Sequence, residues 1–176
     1  MEIKNLKFQI SVIGDSEIRS KKQLEIAYEI GKEIANVNAI LICGGRGGVM
    51  TAAAKGSWEA NGITVGILPM TTDDLEVSPY LTIKIPTNLH WGRNPIIPLA
   101  SDGVIACGGN TGTLSELAYA ELFNKPIVCI TSIPGWSQEI GLRGSLSNPS
   151  SASTILTAQS GKEAVGKLVK LLLSSE

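Results

Sequence analysis

The chain has 176 residues, is 43% apolar and 18% charged, and carries a formal net charge of −1. That size and balance fit one folded domain over residues 1–176 with a single core. No run of five or more like charges occurs, which argues against nucleic acid or an anionic membrane as the main partner. No apolar stretch reaches membrane-spanning length, and residues 1–7 lack the apolar core of a signal peptide. Cys43, Cys107 and Cys129 lie far apart in apolar runs, without metal-ligand spacing. Buried thiols in a reducing cytoplasm are therefore expected.

In chain order, residues 8–13 read as a buried strand that ends in Gly14-Asp15-Ser16. Residues 21–37 follow with helical spacing, Ile26, Ala27, Ile30, Ile34 and Val37 sharing one face. Residues 39–43 are the second strand, 49–60 the second helix and 64–68 the third strand. Asn61-Gly62 closes the second helix with residues that accept positive φ. An acidic loop over 70–79 holds Asp73, Asp74 and Glu76. A short strand is expected at 81–85, and a helix at 88–100 despite Pro95 and Pro98. Asn94 as N-cap with Pro95 at the first helical position would reconcile part of that pattern. The remaining expectations are a strand at 103–107, a helix at 113–123, a strand at 126–130 and a long Gly/Ser/Pro-rich loop at 132–153 containing a short helix. A last strand at 154–156 precedes a final helix capped by Ser160, with Glu163 completing a capping box.

Near-continuous apolar strands alternating with helices predict an α/β fold. The expected form is a doubly wound, Rossmann-like parallel sheet with helices on both faces, a three-layer α/β/α arrangement. Ligands in such folds bind at the carboxyl ends of the strands. Gly14, Gly44 and Gly108 all end strands, so they converge on one edge.

Two glycine turns carry the functional signal. The first is Cys43-Gly44-Gly45-Arg46-Gly47-Gly48-Val49-Met50; the second is Gly108-Gly109-Asn110-Thr111-Gly112-Thr113. Strand, glycine turn and helix together aim backbone N–H groups at an anion. The amides of Gly109, Asn110, Gly112, Thr113 and Leu114 are the expected cradle, with Arg46 and Arg93 as candidate phosphate partners. Asp15 and Ser16 read either as partners of ribose or phosphate or, equally, as a helix-start signal. By spacing alone, Glu116 reads as the capping-box partner of Thr113. His90, Trp91 and Trp136 read as surface or packing residues, and the acidic loop as solvated, with no metal site. Met50 stands where the dinucleotide fingerprint needs its last glycine, and no Walker A motif occurs.

The first glycine turn, Gly66-Ile67-Leu68-Pro69, Arg93-Asn94, residues 100–106 and Gly112-Thr113-Leu114-Ser115-Glu116 resemble the Lonely Guy (LOG) superfamily, long labelled "lysine decarboxylase". The branch most resembled is that of the molybdenum cofactor carrier-like proteins. The resemblance implies a cytoplasmic homo-oligomer, dimer or tetramer, that binds a small phosphorylated ligand: AMP-like, phosphate or molybdopterin-type. Lonely Guy enzymes hydrolyse the N-glycosidic bond of nucleoside 5′-monophosphates, with no cofactor required for the chemistry. Their PGGxGTxxE motif falls on Gly108, Gly109, Asn110, Thr111, Gly112, Thr113 and Glu116, and their catalytic pair on Arg93 and Glu116. Here Gly108 replaces the motif's Pro, Asn110 its second Gly, Cys43 the first Gly of GGGxxGLM, and Asn94 a Lys. These departures fit a carrier of molybdenum cofactor, with nucleoside 5′-monophosphate phosphoribohydrolase as the alternative. No lysine context suggests a pyridoxal phosphate decarboxylase.

Overall fold

A computed structural model describes residues 8–70, 76–146 and 153–174. The apolar run Gln9–Gly14 forms β1, and the helix Lys21–Asn36 forms α1. Ser20 caps α1: its hydroxyl accepts from the Gln23 amide at 3.1 Å. Then come β2 (Ile40–Cys43), α2 (Gly48–Glu59), β3 (Ile63–Leu68) and β4 (Ile83–Pro86). A single 3₁₀ turn at His90–Arg93 leads into the short α3 (Ile96–Leu99). The second half is β5 (Gly103–Cys107), α4 (Thr111–Leu122), β6 (Ile127–Ile130), α5 (Trp136–Arg143), β7 (Ile155–Ala158) and α6 (Gly161–Leu173).

All strand pairs are parallel, in the order β4-β3-β2-β1-β5-β6-β7. The central strands bury alternate side chains on opposite faces, as the period of two requires. Ile10, Val12, Leu41, Ile105 and Val128 pack under α1, α2 and α6. Ile13, Ile42, Val104, Ala106 and Ile127 pack under α3, α4 and α5. The expected three-layer α/β/α architecture is thus the observed one. Full burial of such side chains contributes roughly 1.5–3 kcal/mol each.

Helices α1 and α2 approach unusually closely because glycine sits at their contact. A Cβ on Gly31 would lie 1.8 Å from the Ala53 carbonyl oxygen, and one on Gly56 would lie 2.0 Å from that of Tyr28. Ala52, Ala53 and Ala54 complete this small-residue face.

Three local expectations differ from what is observed. The helix expected over 88–100 is broken. Asn94 has helical angles (φ −55°, ψ −41°) and ends the 3₁₀ turn, and Pro95 stands at the N-cap position of α3. Two prolines within five residues leave too few amide donors for a continuous helix. Helix α4 starts at Thr111 with Asn110 as its extended N-cap residue. Thr113 is therefore already the third helical residue, and the expected Thr113–Glu116 capping box does not exist. The fourth strand pairs over Ile83–Pro86, and its four residues are all exposed. Pro86 is tolerated there because β4 is an edge strand. Asp73 and Asp74 lie outside the described residues, as do residues 147–152 of the long loop.

Candidate functional site

The strand order reverses between β1 and β5: the chain runs outward from β1 through β2, β3 and β4, and outward from β5 through β6 and β7. A crevice of about 260 Å³ opens at the carboxyl ends there, where doubly wound sheets bind their ligands. Its lining combines four segments: Gly14, Asp15 and Ser16 after β1; Arg46 and Met50 around the first glycine turn; Trp91, Arg93 and Asn94; and Asn110, Thr111, Gly112, Thr113 and Glu116 of α4.

The second glycine turn divides into two parts. The Gly108 amide donates to Ser137 Oγ at 2.7 Å, and the Gly109 amide to Asp15 Oδ2 at 2.8 Å. The Leu114 amide closes the first helical bond to the Asn110 carbonyl at 2.9 Å. Those amides are spent within the protein, so Gly109 and Leu114 drop out of the expected cradle. The amides of Asn110, Thr111, Gly112 and Thr113 carry no such bond to any described residue, and these four residues line the crevice. They are the open N-terminal donors of α4, with the positive end of its dipole. Gly108 and Gly109 serve the turn itself, with φ of +68° and +108°, values that side-chain-bearing residues rarely adopt.

Asp15 organises this turn from below. Its side chain is 1% exposed, and Oδ2 also accepts from Gln23 Nε2 at 2.7 Å. Oδ1 faces the Arg19 guanidinium at 2.8 Å, although outside hydrogen-bond geometry. Arg19 in turn donates to Asn110 Oδ1 at 2.6 Å. The segment after β1 is thereby tied to the cap of α4. Arg19, Gln23 and Ser137 carried no motif, and only their convergence in space identifies them.

The first glycine turn is mostly a packing device. Gly45 has φ +69° and presses on Leu68 and Leu81. Gly47 and Gly48 let α2 pass against the backbone of Asp15 and Ser16, and the Val49 amide bonds to the Asp15 carbonyl at 2.9 Å. A Cβ on Gly44 would fall 2.4 Å from a terminal nitrogen of Arg93, so Gly44 makes the space in which that guanidinium lies. From this turn only Arg46 reaches the crevice lining, together with Met50 one turn into α2. Thr51 Oγ1 holds the Arg46 carbonyl at 2.6 Å.

Arg93 and Asn94 are buried at the crevice wall, 6% and 4% exposed. Arg93 Nη1 donates to the Ile67 carbonyl at the end of β3. Asn94 Nδ2 donates to Ser115 Oγ at 2.7 Å. Glu116 points into the same crevice from α4 but does not close a direct ion pair with Arg93. Burial pushes the Glu116 carboxyl up to about 7, with Arg93 pulling partly the other way. Burial likewise lowers the Arg93 guanidinium from its ordinary value, and Glu116 partly opposes that shift. Beneath them, desolvation raises the Cys43 thiol to about 11, which keeps it protonated.

A smaller hollow of about 120 Å³ adjoins, lined by Pro69, Met70 and His90 and sharing Arg46, Trp91 and Arg93. Trp91 is 73% exposed, and it borders both spaces rather than packing inside. Trp136 packs against the core under α3, α4 and α5. Among the described residues no cluster of His, Cys, Asp and Glu has metal-holding geometry. No helix among them is long and apolar enough to cross a membrane.

The molybdenum cofactor binding protein from Rippkaea orientalis superposes with a TM-score of 0.79 at 36% identity, over 95% of this chain and 98% of that one. The molybdenum cofactor carrier protein of Chlamydomonas reinhardtii gives a TM-score of 0.80 at 34% identity, over 96% and 99%. A rice (Oryza sativa subsp. japonica) protein described as a probable cytokinin riboside 5′-monophosphate phosphoribohydrolase is 27% identical over 170 residues, 88% of this chain and 67% of its own. The model of the SLOG cluster4 family matches residues 7–165, and the chain belongs to that family, within a LOG-like superfamily that includes a molybdenum cofactor carrier branch.

Proposed function

We propose that the chain binds a small phosphorylated, nucleotide-like ligand in this crevice and acts as a carrier of molybdenum cofactor. The observation that carries the proposal is the set of open amides at Asn110–Thr113, beside Arg46, on the lining of one crevice. A phosphate seated there meets backbone donors, the helix dipole and a guanidinium together. The rest of the ligand then extends past Trp91 toward Arg93, Asn94 and Glu116. Ser16 and Gly14 border the phosphate end; Gly44, Gly45, Gly47, Gly108 and Gly109 support the two turns. Similarity to two molybdenum cofactor proteins at 34% and 36% identity favours that cargo. Titration with molybdopterin and with AMP, followed by calorimetry, tests the proposal. Saturable binding without released base is the expected result; no binding of either ligand refutes it.

One observation favours phosphoribohydrolase activity as a second reading. Arg93 and Glu116 line the same crevice, and a carboxyl near 7 is half protonated at neutral pH. Such a group can assist departure of a base or deprotonate water, help worth ~10²–10⁴-fold. Arg93 would orient the sugar. Chromatographic detection of free adenine from AMP, abolished in Glu116→Gln, would establish this activity. A cytoplasmic homo-oligomer remains part of the proposal, with size-exclusion chromatography coupled to light scattering as its test.

A further inference from the structure

Three helices among the described residues, α1, α4 and α6, begin at a residue whose side chain can cap them. Ser20 accepts from the Gln23 amide at 3.1 Å and Ser160 from the Glu163 amide at 3.2 Å, each closing on the third helical residue. Asn110 stands in the same place on α4, with an extended backbone (φ −107°, ψ −159°), and the matching amide there is that of Thr113. Asparagine is among the best capping residues, yet its side chain makes no cap bond. The oxygen that a cap needs is engaged elsewhere: Arg19 Nη2 donates to Asn110 Oδ1 at 2.6 Å. A guanidinium only donates, so the carboxamide must turn its oxygen toward Arg19. A charge-assisted bond of this kind is roughly twice as strong as a neutral one. The guanidinium is already anchored at 2.8 Å on the buried Asp15 carboxylate, and the Arg19 amide donates to Gln23 Oε1 at 2.8 Å. Holding Asn110 therefore costs little further order.

We propose that Arg19 is a positioning residue for the anion cradle: it draws Asn110 Oδ1 away from the Thr113 amide and so keeps that amide open for an oxyanion of the ligand. Released from Arg19, Asn110 closes on Thr113 as Ser20 and Ser160 close on their own helices. Its carboxamide oxygen then takes the place of an anion oxygen, and the chain competes with its ligand. The inference rests on the phosphorylated-ligand reading above, but it concerns a residue outside the crevice lining. Arg19 acts through Asn110 and does not itself touch the ligand. The pairing also gives a physical sense to the departure at position 110. A glycine there has no oxygen to withdraw; an asparagine there needs a partner to hold it back.

Two measurements on the full chain test this: amide hydrogen exchange without ligand, and calorimetric titration with AMP. In Arg19→Ala the Thr113 amide should exchange ~5-fold more slowly than in the native chain, because it gains an acceptor. A turn that merely loosens without Arg19 makes that amide exchange faster; this result, or an unchanged rate, overturns the inference. AMP should bind ~5-fold more weakly to Arg19→Ala. In an Asn110→Gly background, which has no oxygen to release, the same change should alter AMP affinity by less than about twofold. An equal loss in both backgrounds means that Arg19 acts by its charge or by holding the turn, and overturns the inference. Equal affinities of Arg19→Ala and the native chain overturn it too. If the native chain binds no AMP, the phosphorylated-ligand reading falls, while the Thr113 exchange rate still decides whether Arg19 holds the cap open. The Arg19 side chain is half-exposed, so the variant should fold. Arg19→Met, which keeps the apolar stem, replaces it in each measurement if it does not.

Discussion

Glu116 is a carboxyl removed from water without a hydrogen bond from any described residue, and its proton affinity shows the consequence. Its value rises from 4.5 to about 7. Between those limits the folded chain holds more protons than the unfolded one, so this group's contribution to stability declines as pH rises. The contribution is complete below about 4.5, is lost through about 7 and stays lost above it. The difference amounts to roughly 3 kcal/mol. Glu116→Gln should thus be more stable than the native chain at pH 8, and the gap should close toward pH 5; urea unfolding at the two pH values measures it. Gly44 permits a test of a different kind. In Gly44→Ala the new methyl meets the flexible ends of Arg93 and Met50 rather than backbone. The fold should survive with a loss of about 1 kcal/mol, while Arg93 is displaced and ligand affinity falls ~10-fold or more. Titration of the variant, set beside its melting curve, separates the two effects.

At the scale of elements, the N-terminus of α4 and the α1–α2 contact show how the site is held. Asp15 spends its charge on orienting the α4 turn: Gly109 and Gln23 both donate to Oδ2. Asp15→Ala leaves both donors without an acceptor and should cost roughly 2–3 kcal/mol in chemical denaturation, with weaker ligand binding as the cap of α4 loosens. The α1–α2 contact is intolerant in another way. Gly31→Ala drives a methyl into the Ala53 carbonyl, so the helices must separate. A loss of roughly 1–3 kcal/mol is expected, read as a lowered thermal midpoint. Neither constraint was visible in the sequence. Helical spacing placed Ile26, Ile30 and Ile34 correctly on the buried face, but Gly31 gave no sign of facing backbone. The pair Thr113 and Glu116 had the spacing of a capping box, yet the cap is set by where the helix begins. Asn110 begins it, three residues earlier than expected, because Arg19 and the bonds at Gly108 and Gly109 hold the turn there.

Across the whole molecule, a chain of net charge −1 places Arg46 and Arg93 on the lining of the crevice at the sheet's switch point. Attraction for a phosphorylated ligand is therefore local and open to screening. Raising the salt from 0.05 to about 0.5 M should weaken AMP binding several-fold and leave adenosine binding nearly unchanged; paired titrations check this. The sequence by itself determined the parallel sheet, the strands that precede the two glycine turns, and the turns themselves. Those features depend on residues near one another in the chain: apolar runs of strand length, and glycines where φ turns positive. Only the tertiary structure decided which amides stay open, that Glu116 sits in a desolvated crevice with Arg93, and that Asn110 Oδ1 is engaged by Arg19. Each of these depends on groups from β1, α2, the 3₁₀ turn and α4 meeting in space, and separations of some 20 to 90 residues leave no local pattern to read.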